Sequence, residues 1–358
     1  MRIKELDGLR GIFSFMIIIY HLPDTFNLNF DDNMLLHNSY IFVDFFFCLS
    51  GFIITMTYSD NIKSTGDLKT FYLKRLIRIY PLHFFVLLLY FIGFLIVGYD
   101  KGNFFLKLIN SLFLTNSTPI ITPTDGINTV SWSVSSEVFS YIIIGFVFLV
   151  SKQSKVISSY LLLFLILIST IVLVKYEIPF FSTSNFGFLR GLIGFGFGAF
   201  TYYLYDTLNL KCYKNIDLLV PILCTFLFVI IDMYTGRYPN NVYYNLINIF
   251  LTPIIMSSTI LLILISKKGI ISRILNTKII QELGLISYSI YLTHPFVFNI
   301  FELPMIHKFS SNYLFYLVLI LAVLIFSKIA YELIEFKLSK YLRAKLNKEY
   351  FSFKKLIR

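Results

Sequence analysis

Arg10 and His21 lie eleven residues apart in one apolar stretch, LDGLRGIFSFMIIIYHL, and further ionisable groups lie within other apolar stretches: Asp44, Glu137, Arg190 and His294. A charge in such a setting costs several kcal/mol, so these residues are read as lining a polar cavity. A neutral imidazole accepts a proton near physiological pH, and a carboxylate on its second nitrogen would fix its tautomer and stabilise the imidazolium. Arg75 and Arg78 are three apart, hence on one helix face. Their fork-shaped donors suit phosphate oxygens. A base together with a phosphate clamp is what transfer from a phosphorylated carrier to a hydroxyl needs. Each group also has a plainer reading: His21 as an interfacial hydrogen-bonder, Arg75 and Arg78 beside Lys74 as topology anchors, and Asp44 and Glu137 as helix-holding partners of Arg10 or Arg190. No HxxxH or HxxE spacing supports a metal site.

The elements that position these groups are membrane helices. Of 358 residues, 57% are hydrophobic, 18% aromatic and only 14% charged. That leaves too little polar surface for a soluble globule. The net charge of +11 does not indicate a nucleic-acid binder, because the basic residues lie between apolar runs and form no solvated face. Cys48, Cys212 and Cys224 make no CxxC pair and read as small core residues. The first apolar run is read as uncleaved, with Glu5, Asp7 and Arg10 at its edge and no small-residue cleavage site after it.

A bilayer core takes roughly 20 helical residues. Ten runs approach that length: 7–23, 39–58, 76–98, 133–151, 156–174, 186–205, 217–234, 246–266, 283–301 and 313–335. The shorter run 103–115 reads as an interfacial or re-entrant helix. The expected fold is all-α, one polytopic domain over 1–335, with 336–358 as a basic amphipathic tail on the inner leaflet. With the N-terminus inside, 23 loop and tail lysines and arginines fall on its side and 5 on the other. Both termini are therefore expected in the cytoplasm. His21 then lies about 16 Å further outward than Arg10 at 1.5 Å per residue. Asp44 and Glu137, near the outer ends of descending runs, are expected at its depth, and Arg75 and Arg78 stay with Arg10 at the inner mouth.

Five ordered segments, LDGLRGIFSFMIIIYHL, FVDFFFCLSGFII, FYLKRLIRIYPLH, WSVSSEVFSYI and LGLISYSIYLTHPF, resemble the signature blocks of the acyltransferase 3 family of bacterial membrane O-acyltransferases. The resemblance implies Arg10 and His21 as the family's arginine and essential histidine, Arg75 and Arg78 as its Arg-x-x-Arg pair, and Asp44 and Glu137 as its acids, the latter five residues after Trp132. Departures fall at Phe42, Val138 and Thr293, where the family commonly has glycine, a second acid and an aromatic residue. The implied activity is that of the standalone form: acetyl transfer from cytosolic acetyl-CoA, a co-substrate and not a resident cofactor, to a hydroxyl of surface polysaccharide or its lipid-linked precursor, in the bacterial inner membrane. His21 would be the base, oriented by Asp44 or Glu137. Arg10, Arg75 and Arg78 would hold the donor phosphates. Trp132, Arg190, Tyr288, Tyr291 and His294 are candidates for lining the substrate tunnel. The partners implied are acetyl-CoA, a carbohydrate acceptor and membrane lipids; a homo-oligomer is compatible with them. A proton-coupled transporter relaying protons through the same groups is the alternative, although the internal symmetry it predicts is absent from the sequence.

Overall fold

The computed structural model describes residues 3–26, 33–97, 103–121, 126–208, 212–235, 242–267, 269–309 and 313–346. They are almost wholly helical, the state that satisfies backbone groups in hydrocarbon. The helices are α1 Lys4–Phe26, α2 Met34–His37, α3 Phe42–Tyr58, α4 Thr65–Val97, α5 Phe104–Leu112, α6 Trp132–Ser151, α7 Lys155–Lys175, α8 Gly187–Thr207, α9 Leu219–Thr235, α10 Val242–Leu264, α11 Ile270–Leu275, α12 Lys278–Phe309 and α13 Tyr313–Ala330. The long ones match the ten apolar runs. Among the described residues, seven helical stretches are long and apolar enough to cross a membrane by length and composition. Those containing α1, α8 and α12 are not among them, and these three helices carry Arg10, His21, Arg190 and His294 between them. The chain is an all-α, multi-pass membrane protein.

Two helix pairs form the centre, and glycine sets both. On α1 and α12, a Cβ at Gly11 would stand 2.6 Å from the Gly284 nitrogen. These helices run in the same direction, with Asp7 at Gly284 and His21 at His294. On α3 and α8, a Cβ at Gly198 would stand 1.9 Å from the Cys48 carbonyl oxygen. Small residues let backbones meet where lipid supplies no hydrophobic drive between helices.

Helix α4 begins eleven residues before its apolar run. Ser64 and Asp67 cap it reciprocally: the Ser64 hydroxyl accepts from the Asp67 amide at 3.2 Å and donates to the Asp67 carboxylate at 2.7 Å. Arg75 and Arg78, expected at a helix start, are therefore about three turns into α4. Pro81 lies within the same helix. A proline has no N–H for the carbonyl four residues back. That carbonyl, of Ile77, instead accepts from the Ser339 hydroxyl at 3.0 Å. The expected surface tail thus differs in its described part, to Leu346. It continues α13 as helix through a π-helical segment, Tyr331–Leu338, and docks on α4. Residues 347–358 lie outside the described residues.

The 103–115 run becomes α5, which leads into a buried polar segment in which Asn110, Ser111, Ser117, Asn128 and Ser131 have no exposed surface. His83 Nε2 donates to the Ser111 carbonyl at 2.8 Å, and the Asn128 amide donates to the Leu292 carbonyl at 2.8 Å. At the end of the bundle where α1 starts, strands β1 Tyr213–Lys214 and β2 Ser266–Lys267 pair in parallel. Asp217 accepts from the Ser272 amide and hydroxyl at 2.7 and 2.9 Å, and Asn276 donates to Glu5 at 2.8 Å. The connections after α8 and α10 therefore meet the start of α1 at one common end.

Candidate active site

A cavity of about 580 Å³ opens among α1, α3, α4, α6, α12 and the helix after α13. Its charged lining is Arg10, Arg75, Arg78, Arg343, Asp7 and Glu137. Arg10 pairs with Asp7 at 3.6 Å, and Arg78 with Glu335 at 3.0 Å. Glu335 is buried and also accepts from the Ser289 hydroxyl at 2.8 Å. Arg75 has no carboxylate partner among the described residues. Its guanidinium instead lies 4.9 Å from the Tyr58 ring centre and 5.8 Å from that of Tyr141. Its buried Nε has no hydrogen-bond partner among the described residues either.

Glu137 does not stand beside His21, as its distance from the helix start suggested. It lines the arginine cavity, where its carboxylate accepts from the Ser50 hydroxyl at 2.9 Å and from the Tyr141 hydroxyl one turn along α6. The sequence estimate assumed that α6 starts at the membrane face. The buried segment before α6 instead starts the helix within the protein, with Trp132, Ser133, Ser135 and Ser136 all buried.

Asp44 is also turned away from His21. Both its oxygens accept from Arg190 on α8, at 2.8 and 2.6 Å. Both side chains are 2% exposed, so a bidentate pair joins α3 to α8 in the protein interior. The Arg190 guanidinium lies 5.2 Å from Trp132 and 5.0 Å from Phe181. Asp44, Arg190 and Trp132 thus form a packed strut. None of the three lines the cavity.

What orients His21 is its own helix. Nδ1 is 2.9 Å from the Ile17 carbonyl oxygen. A carbonyl can only accept, so Nδ1 carries the proton and the ring's lone pair is on Nε2, the form a base needs. His294 repeats the arrangement, with Nδ1 3.2 Å from the Ile290 carbonyl. The two imidazoles lie with centroids 5.0 Å apart and planes at 51°. His294 is fully buried, and its Nε2 has no hydrogen-bond partner among the described residues. One turn back on α12, Tyr291 lines the cavity while its ring centre is 6.1 Å from that of His294. It donates to the Val130 carbonyl at 3.0 Å and accepts from Ser133 at 2.8 Å. Tyr288, a further turn back, also lines the cavity and donates to the Ile79 carbonyl at 3.0 Å.

The arrangement has two levels. An arginine-rich cavity holds Arg10, Arg75, Arg78, Tyr288, Tyr291 and Glu137, and a histidine pair stands one helical turn beyond it. Ser50, Tyr141, Glu335 and Arg343 were missed in the sequence. The four-residue spacing from Glu137 to Tyr141 could have indicated that pair. Arg343 was hidden among the eight basic residues of the tail.

Residues 3–332 match the family described as acyltransferase domain, the acyltransferase 3 family. Protein 2 in picA locus of Rhizobium radiobacter is 29% identical over 149 residues, which cover 37% of this chain and 75% of that protein. No solved structure matches.

Proposed function

The chain belongs to the acyltransferase 3 family and is a membrane acyltransferase; on that premise we propose that it moves an acetyl group from cytosolic acetyl-CoA to a hydroxyl of a surface polysaccharide or its lipid-linked precursor. The observation that carries this reading is the histidine pair one turn from a cavity bearing Arg10, Arg75 and Arg78. The guanidinium groups offer forked donors to the phosphates of the donor. The basic residues concentrated at the end where α1 begins support a cytoplasmic location for that end, in the inner membrane of a bacterium.

In this mechanism the acceptor hydroxyl oxygen attacks the thioester carbonyl while Nε2 of His21 takes the hydroxyl proton. The tetrahedral intermediate collapses, the carbon–sulfur bond breaks, and coenzyme A leaves as thiolate. The thiolate receives the proton from the imidazolium, giving ester and free thiol. The Ile17 carbonyl holds Nδ1–H throughout, the part a carboxylate plays in other histidine bases. His294, with a buried acceptor nitrogen beside His21, is suited to receive a second hydroxyl of a polyol acceptor. Family membership also separates this reading from proton-coupled transport.

The test is acetyl transfer from labelled acetyl-CoA in membranes carrying His21→Ala. A loss of about 10²- to 10⁴-fold is the expected size for removing a general base. Full retention of transfer would overturn the mechanism. Comparing the acetyl content of purified surface polysaccharide with and without the gene identifies the acceptor.

A further inference from the structure

The helix that follows α13 brings a fourth arginine to the cavity, from beyond the part of the chain that matches the family at 3–332. Its place follows from Pro81. The Ile77 carbonyl that this proline leaves without an amide is bonded by Ser339, and Arg343 is one turn further on the same helix. A second tie, Arg78 to Glu335, holds the preceding π-helical segment to α4. Irregular helical segments of this kind are frequent at functional sites.

Arg343 lines the cavity and is exposed, so it stands at the opening. Arg75 and Arg78 line the same cavity. Of the acids on the π-helical segment, Glu335 is the ion-pair partner of Arg78 and Glu332 pairs with Lys328. Neither Arg343 nor Arg75 has an ion pair among the described residues, and Asp7 is paired to Arg10. Glu137 is the remaining acid of the lining, so Arg10, Arg75, Arg78 and Arg343 face Asp7, Glu137 and Glu335, and the excess of positive charge at the opening favours an anion there.

We propose that Arg343 is a specificity residue for the donor and binds the 3′-phosphate of coenzyme A at the mouth of the cavity. The inference rests on the acetyl-CoA reading above. Along the donor, the order is thioester, pantetheine arm, pyrophosphate and ribose 3′-phosphate. If the thioester reaches toward the histidines, the 3′-phosphate is last in and remains at the opening. Arg10, Arg75 and Arg78, further in, meet the pyrophosphate.

The test measures binding of acetyl-CoA and of 3′-dephospho-acetyl-CoA to the full-length protein in phosphatidylcholine nanodiscs, which needs no acceptor. Wild type is expected to bind acetyl-CoA about tenfold more tightly than the dephospho form, the scale of one charge-assisted contact. Arg343→Ala should lose that preference, weakening acetyl-CoA about tenfold and leaving the dephospho form unchanged. Arg343→Lys should restore part of the preference. Equal weakening of both ligands by Arg343→Ala, or of neither, would overturn the assignment. Loss of the wild-type preference when phosphatidylglycerol replaces phosphatidylcholine would also overturn it, assigning the residue to lipid headgroups. Wild type that binds neither ligand would refute the donor reading itself and would be distinguishable from all of these.

Discussion

At the scale of single residues, the protonation state of His21 is set by a hydrogen bond inside its own helix. With Nδ1–H held by the Ile17 carbonyl, the base is active only as the neutral ring. The logarithm of kcat/KM for acetyl transfer should therefore rise with pH at unit slope and then level, because protonating Nε2 removes the lone pair that accepts the hydroxyl proton. A flat acid limb would show that His21 is not the base. Asp44→Asn should leave this profile in place, since the carboxylate bonds Arg190 and not the imidazole. His294→Ala should raise KM for the acceptor while leaving KM for acetyl-CoA near its wild-type value. The reverse pattern would place His294 with the donor. An imidazole in an apolar run made His21 a candidate, and its place eleven residues after Arg10 in a block that resembles the acyltransferase 3 signature singled it out. The sequence did not make His294 legible as the neighbour of His21, since nothing in one sequence states which turns of two parallel helices face each other.

Among elements, the α1–α12 pair brings the two histidines together, and the Asp44–Arg190 pair fastens the cavity-lining α3 to α8. Burying the Asp44–Arg190 pair is stable only while both ions are present. Removing one partner from such a pair typically costs about 3–5 kcal/mol, whereas replacing both with apolar groups of similar volume can be neutral. Arg190→Met alone should lower the detergent melting temperature markedly, and Asp44→Leu with Arg190→Met should recover most of the loss. A double variant no better than the single one would show that the pair does more than hold α3 to α8. Helix existence and order were legible here, because apolar length is a strong signal. Helix depth was not. Glu137 was misplaced because α6 starts inside the protein after a buried polar segment, and a run of Asn, Ser and Thr reads as loop in sequence whether it is buried or solvated. The early start of α4 was legible in principle from Ser64 and Asp67, three residues apart as in a capping box.

For the whole molecule, the decisive quantity is which compartment the arginine cavity opens to. Charge bias in the loops predicts the cytoplasm, and the fold supplies a natural reporter. Cys212 is exposed, whereas Cys48 and Cys224 are buried. Cys212 directly precedes β1, which pairs with β2, and the same end holds Asp217 with Ser272 and Glu5 with Asn276. It therefore reports on the end where α1 begins, the side of Arg10. A membrane-impermeant thiol reagent should label the protein in inverted vesicles and not in intact spheroplasts, and Cys212→Ser should abolish the labelling. Labelling of spheroplasts would put the arginines in the extracytoplasmic compartment, out of reach of a cytosolic donor. In that event the acetyl-CoA reading would fail even though the family assignment stood, because the matching residues fix the fold while only the orientation decides which pool of acyl donor the cavity meets.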